Sequence, residues 1–379
     1  MGKAKSTGIK IPTAASMDKK YHGSGIASKI LGRGGLRLPS RFLYLNYTLS
    51  GGIPYGKILE VFGEESSGKS LLAFDFAYCC QQLGGIVIWI DAEQAFTIEW
   101  AEANGIDLDK VDLYSETAIE SISDFIRDKA IYWRSILTNN EPILIVTDSI
   151  ASLSCIANIN SSQLDAKAEM GNRAKKIDEM LRTRNELLSE LGVVSIFINQ
   201  VRAKIGATKY EDPYTTPGGK ATAFYASIRL GIYGGKQIKG KIDGYEDRVG
   251  RCSTIRVIKN KVGPPRPTIK SAEVYFNPEY HKPVGFDKYF GLAELLVRLK
   301  VVDRKKGASR IYYKEKMLAN GEEAFLKFLI KNDDIRAKLI RRAGINTISK
   351  TQKEIDAITT NLYPLKIAAK KETETEDEE

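Results

Sequence analysis

The sequence predicts an α/β fold: a central, mostly parallel sheet flanked by helices, with a small α+β domain on its C-terminal side. Two observations carry this. Apolar runs at Ile58 to Phe62, Gly85 to Glu93, Ile143 to Ile150 and Val193 to Ile198 are near-continuous rather than alternating, as strands buried on both faces are, and helical segments separate them. The first run then breaks into Gly63-Glu64-Glu65-Ser66-Ser67-Gly68-Lys69-Ser70. That octet fits the phosphate-loop pattern G-x-x-x-x-G-K-[ST], and it sits between a strand and a helix, the context that confirms it.

Composition narrows the class. The chain has 379 residues, 43% hydrophobic and 27% charged, as an ordinary globular protein does. No apolar run is long enough to span a bilayer, and the first ten residues hold no apolar core of a secretory signal. The expectation is a cytoplasmic protein with no membrane partner. The cysteines, Cys79, Cys80, Cys155 and Cys252, form no CxxC pair and read as reduced core thiols. With only His22 and His281, a histidine metal site or a Ser-His dyad has little to draw on. The net charge of +10 favours an anionic polymer as partner, although a solvated basic surface gives the same balance.

Residues 1–36 are basic and rich in Gly, Ser and Ala, and read as a solvated tail or a docking segment. Leu45 to Gly56 is a short helix ending at Gly51-Gly52 and a turn into the first buried strand. In the loop that follows, glycines let successive N–H groups point at an anion, and the next helix offers its positive end. Lys69 supplies a mobile charge for phosphate, and the Ser70 hydroxyl suits Mg²⁺. Leu71 to Leu83 is an apolar helix closed by Gly84-Gly85. The next strand ends in Asp91 and Glu93, and ligands sit at the carboxyl ends of parallel strands, so both acids should face a nucleotide. Helices follow at about Thr97 to Ala103 and Ala118 to Leu137, the latter with Ile119, Ile122, Ile126, Ala130 and Trp133 on one side. The strand ending in Asp148 has the Walker-B arrangement, in which the acid holds the Mg²⁺ shell.

Residues 154–171 read as a polar loop, and Asn172 to Leu191 as a helix with Ile177, Met180, Leu181, Leu188 and Leu191 on its apolar side. After the strand ending in Asn199-Gln200, residues 201–219 have no apolar period and carry Arg202, Lys204, Lys209, Tyr210 and Tyr214, closing on Gly218-Gly219. Cations among aromatics suit single-stranded nucleic acid; a flexible surface loop is the plain alternative. Strands are expected at Ala226–Tyr233 and Ser253–Lys259, with Lys259 and Lys261 as a phosphate clamp or a solvated edge. Leu292, Leu295, Leu296 and Leu299 mark a helix, Arg310–Tyr313 a hairpin and Glu322–Ile330 a second helix. The expected divisions are a 1–36 tail or docking segment, a 37–268 nucleotide-binding core, a 269–345 α+β domain, and a 346–379 extension with an acidic tail.

Taken together, Gly63–Ser70, Ile90-Asp-Ala-Glu93, Thr147-Asp-Ser-Ile-Ala-Ser-Leu153, Phe197–Gly206, Phe224-Tyr-Ala-Ser-Ile-Arg229 and Val257–Val262 resemble, in order, the motifs of bacterial RecA-type recombinases. The resemblance covers roughly residues 35–345. It implies a RecA-like P-loop ATPase core that uses ATP and Mg²⁺, in the cytoplasm of a bacterium or a phage-infected cell. Lys69 and Ser70 match the phosphate-loop lysine and the Mg²⁺ ligand, Asp148 the Walker-B acid acting through water, and Glu93 the carboxylate that polarises the attacking water. Trp100 falls at the adenine-stacking position. Gln200 matches the γ-phosphate sensor, and Lys259 and Lys261 match lysines that reach a neighbouring subunit's nucleotide.

The same resemblance assigns DNA contacts to Met170, Gly171, Lys175, Arg182, Arg202 and Lys204, within or beside two DNA loops at 158–171 and 201–219. Phe224 matches a subunit-interface aromatic but reads equally as plain core. The implied partners are single-stranded DNA, double-stranded DNA and further copies of the chain in a helical filament. A single-strand-binding protein or a loading mediator is a candidate partner. Two other readings stay open: an ATP-gated coating protein that exchanges no strands, and a small-molecule P-loop kinase.

Overall fold

The computed structural model describes residues 35–159, 166–203, 214–215, 221–264, 268–304 and 309–345. Within them, strands β1 (Arg37–Leu38) and β2 (Ile53–Pro54) pair around helix α1 (Leu43–Thr48). The core follows as β3 (Ile58–Gly63), α2 (Lys69–Gln82), β4 (Ile86–Asp91), α3 (Ile98–Ala103), β5 (Val111–Tyr114), α4 (Ile119–Ile136) and β6 (Ile143–Asp148). Then come α5 (Ile156–Ile159), α6 (Ala166–Glu190), β7 (Val194–Gln200), β8 (Arg202–Ala203), β9 (Tyr214–Thr215), α7 (Ala221–Tyr225), β10 (Ile228–Ile242) and β11 (Tyr245–Asn260).

Strands β12 (Ile269–Tyr275) and β13 (Gly285–Phe286) complete a nine-stranded sheet among the described residues, ordered β13-β12-β11-β10-β3-β7-β6-β4-β5. From β10 to β5 neighbours run parallel, and from β10 to β13 they run antiparallel. This is the mostly parallel, helix-flanked sheet expected from the apolar runs.

Those runs split their side chains between two faces, as a period of two requires. Val87, Trp89, Leu144 and Val146 join one core with Leu72, Phe74 and Phe76 of α2. Ile86, Ile88, Ile90, Ile143 and Ile145 join the other with Ile122 and Ile126 of α4 and Ile177 and Leu181 of α6. Helix α2 is apolar nearly all round because the sheet, β13 and the elements beyond it bury it on most sides. Gly84, at φ +81°, ends it.

Several expectations shift. Helix α6 starts at Ala166, not Asn172, so much of the expected 154–171 loop is helical: Ala, Lys, Glu and Met are strong helix formers even without apolar period. Edge strand β5 escaped notice because four residues are too few to show a pattern. The strands at 226–233 and 253–259 are the inner ends of one long hairpin. Its turn, Asp243-Gly244, has φ of +51° and +89°, the positive values that a two-residue hairpin loop requires. The sheet also continues past residue 268, since β12 pairs with β11 and β13 with β12.

Beyond the sheet lie α8 (Leu292–Arg298), the small sheet β14 (Asp303–Arg304), β15 (Arg310–Tyr313) and β16 (Lys316–Asn320), then α9 (Glu322–Lys331) and α10 (Asp333–Arg342). Helix α10, not foreseen, buries Leu339 and Ile340. All four cysteines are free thiols, and three are buried. No helix among the described residues is long and apolar enough to cross a membrane.

Candidate active site

The phosphate loop joins β3 to α2 at the carboxyl edge of the parallel strands. Two of its glycines are compulsory. A Cβ on Gly63 would lie 2.0 Å from the Ile232 carbonyl oxygen, and Gly68 caps α2 at φ +103°. Lys69 folds back over the loop, its Nζ donating to the carbonyls of Gly63 (3.1 Å) and Glu64 (2.7 Å). Burial lowers the Lys69 pKa, while Asp148, Glu93, Glu65 and Glu64 act in the opposite direction. Two side chains of β11 brace the loop from the neighbouring edge. Arg251 Nη1 donates to the Ser66 carbonyl (2.7 Å), and Ser253 Oγ to that of Ser67 (3.0 Å).

Ser70 Oγ donates to Asp148 Oδ2 at 2.7 Å. Burial pushes the Asp148 carboxyl up to about 6, with the Ser70 hydrogen bond opposing and Glu93 adding to the rise. A hydroxyl and a carboxylate are hard oxygen donors, which fit Mg²⁺. No group of three or more His, Cys, Asp or Glu suited to a metal occurs among the described residues. Mg²⁺ needs none, because it keeps several waters and takes further ligands from phosphate.

Glu93 is held by side chains from two other segments. Its Oε1 accepts from Ser149 Oγ, from Ser152 Oγ at 3.5 Å and from Gln200 Nε2 at 3.1 Å. The peptide between Asp148 and Ser149 is cis. Asp91 does not join this cluster, against expectation. It is buried and accepts from the backbone N–H groups of Ala95 and Phe96, both at 3.0 Å, so it shapes the turn that carries Glu93.

Trp100 lies half-buried on α3, packed against the main core. Lys259 Nζ donates to the carbonyls of Ala223 (2.6 Å) and Phe224 (3.0 Å), and Lys261 Nζ stands 5.9 Å from the centre of the Phe224 ring. Burial, then nearby Lys261 and Arg229, lower the Lys259 pKa. Phe224 is 69% exposed, so it is not core. Lys175 and Arg182 project from the exposed side of α6, opposite its buried apolar side, and Gly171 is exposed inside that helix. The side chains of Met170 and Arg202, and all of Lys204, Lys209, Tyr210, Gly218 and Gly219, lie outside the described residues, as do the N-terminal segment and the acidic tail.

Three features went unforeseen: the serines on Glu93, the β11 braces, and an ion pair between the buried Glu60 and the part-buried Arg229. Glu60 was signalled, since a charged residue inside a strand buried on both faces demands a partner.

A phosphate loop, a carboxylate bonded to the loop's hydroxyl, and a second carboxylate tied to the end of the next strand define a P-loop nucleotide hydrolase. The family model of the RecA N-terminal domain matches residues 37–278. The chain is 35% identical to Protein RecA of Tropheryma whipplei (strain Twist) over 319 residues, 82% of this chain and 67% of that one. It is 34% identical to Protein RecA of Campylobacter jejuni subsp. doylei over 297 residues, 77% of this chain and 78% of that one. Protein RecA of Streptococcus pneumoniae (strain Hungary19A-6) is 34% identical over 290 residues, 76% and 69% of the two chains. The chain belongs to the RecA family. It is a recombinase with an ATPase core, at work in DNA recombination and repair.

Proposed function

We propose that this chain is a DNA-dependent ATPase that assembles as a helical filament on single-stranded DNA, pairs it with homologous duplex and exchanges strands. The observation that carries this reading is the hydrogen bond from Gln200 Nε2 to Glu93 Oε1. Gln200 is the last residue of β7, and the segment 201–219 follows it directly. A group that touches the hydrolytic carboxylate therefore begins the stretch expected to meet DNA, so occupancy of either can bias the other.

In this reading Glu93 orients and polarises the attacking water, with Ser149 and Ser152 fixing its carboxylate. Lys69 leaves the loop carbonyls for the β- and γ-phosphates of ATP, and loop N–H groups from Gly63 to Ser70 cradle them. Ser70 and Asp148 would hold Mg²⁺, the latter through water, and the ion would supply charge neutralisation at the phosphates. Trp100 offers a ring to adenine. Lys259 and Lys261 act on the nucleotide of an adjoining protomer, with Phe224 in the contact, so turnover waits on assembly. Lys175, Arg182, Met170 and Gly171 on α6, and Arg202, Lys204, Lys209, Tyr210, Gly218 and Gly219 beyond β7, form the DNA surface. The elements after Phe286, with exposed Lys300 and Arg310, gather duplex. The working compartment is the bacterial cytoplasm.

The deciding experiment compares ATP turnover with and without single-stranded DNA at fixed salt. Strong stimulation is expected, followed by strand exchange on homologous duplex. Turnover indifferent to DNA would sink the reading and raise the small-molecule kinase. Stimulation without strand exchange would favour an ATP-gated coating protein.

A further inference from the structure

Glu60 is the one acid in β3, between Leu59 and Val61, and it is wholly buried. Both carboxylate oxygens are used, and by different strands. Oε1 accepts from Asn199 Nδ2 of β7 at 3.1 Å, and Oε2 accepts from Arg229 Nε of β10. The Arg229 guanidinium also lies 4.8 Å from the centre of the Phe62 ring. Arg229 stands opposite Glu60 on one side and opposite Lys259 of β11 on the other. Asn199 precedes Gln200. One carboxylate thus links the strand that ends in Gln200 to the strand pair that carries Lys259.

Stability alone is a poor reason for this arrangement. Burying a carboxylate such as Glu60, even beside the part-buried Arg229, rarely outperforms an apolar side chain of similar volume, and the other buried positions nearby in this strand are Ile58, Leu59, Val61 and Phe62. What an ionic link adds is a directional connection between strands, since each bond works at one geometry only. Its surroundings point the same way. Arg229 and Lys261 both act on Lys259 as like charges, and Glu60 is the acid that acts on it in the opposite sense.

We propose that Glu60 is a positioning residue: with Asn199 and Arg229 it couples the Gln200 end of β7 to Lys259, so that the two move as one unit when DNA is bound. This rests on the roles given above to Gln200 and Lys259 and names the part that connects them.

The test measures ATP turnover of the full chain with and without single-stranded DNA, for the wild type, Glu60→Gln and Asn199→Ser. The readout is the ratio of the two rates, which a mere loss of folded protein does not move. Glu60→Gln keeps the side-chain shape and removes the charge, and should cut that ratio about tenfold, the scale of one charge-assisted hydrogen bond. Asn199→Ser keeps Arg229 paired, so it folds even if Glu60→Gln does not, and should lower the ratio in the same direction. A wild-type ratio in either folded variant overturns the proposal. So does a fall in both rates together, the mark of a structural role alone. A wild type that DNA does not stimulate overturns the proposed function itself, and this inference with it.

Discussion

On the parallel side of the sheet the working charges are acids at strand ends; on the antiparallel side they are cations spread along a hairpin. Strands β4, β6 and β7 are buried through nearly their whole length and end in the polar residues Asp91, Asp148 and Gln200, of which Asp91 stays buried. Strand β11 mixes buried and accessible positions, and carries Arg251, Arg256 and Lys259 at intervals. The difference follows from cover. A strand sandwiched by helices can bring charge to solvent only where it leaves the sandwich, and a charge inside it, as at Glu60, must be paired, whereas an open hairpin can place charge wherever a side chain reaches solvent. Function on the parallel side is therefore read from termini, and on the antiparallel side only from contacts.

The acid side is tested most severely by Glu93→Gln. The variant should keep nucleotide affinity and lose turnover by roughly 100- to 10,000-fold, the range of a missing general base. Steady-state hydrolysis beside equilibrium nucleotide binding separates the two, and unchanged turnover would remove Glu93 from the mechanism. The cation side is tested by Arg251→Ala, which deletes a brace on the phosphate loop. KM for ATP should rise about tenfold with kcat less affected, as for one lost hydrogen bond from a charged donor. A fall in kcat at constant KM would instead make Arg251 a group of the reaction itself.

Smaller effects sharpen the contrast. Replacing Lys175 or Arg182 by Ala should weaken single-strand binding at all sequences alike and reduce the salt slope by about 0.7 per cation, as lost phosphate contacts do. An unchanged slope would move the DNA surface off α6. Phe224→Ala should alter the thermal stability of the protomer by less than about 0.5 kcal/mol, because so exposed a ring stabilises little. Sedimentation in the presence of nucleotide should nonetheless show weaker assembly. A large drop in protomer stability would restore the core reading.

The parallel side was largely legible in the sequence. Its inner strands β3, β4, β6 and β7, the apolar sides of α4 and α6, and the loop from Gly63 to Ser70 follow from patterns that burial enforces, while the half-exposed edge strand β5 does not. In the candidate site, Lys69, Ser70, Glu93, Asp148 and Gln200 could be singled out by residue type and order, but their wiring could not. Nothing in the order Asp91, Ala92, Glu93 says that the first acid turns inward to backbone N–H groups while the second meets Gln200, 107 residues away in sequence. Arg251 was silent because its partner is a main-chain carbonyl, which leaves no mark in residue type. The long hairpin went unread although Asp243-Gly244 is a turn signal, because its arms alternate only weakly.

That hairpin has a mechanical consequence. β10 pairs with β3 only from Ile228 to Ile232, and the register of β11 with β12 runs from Gly250 to Ile255. From Lys239 to Arg248 the two arms pair only with each other, ending in a Tyr245 that is 81% exposed. A lone two-stranded ribbon is marginally stable in water, so its amides should exchange with solvent long before those of the sheet it grows from. Limited proteolysis should likewise cut first near Gly244. The arms are continuous with the strands that hold Arg229 and Arg251, so one covalent piece is soft at its tip and rigid at its root.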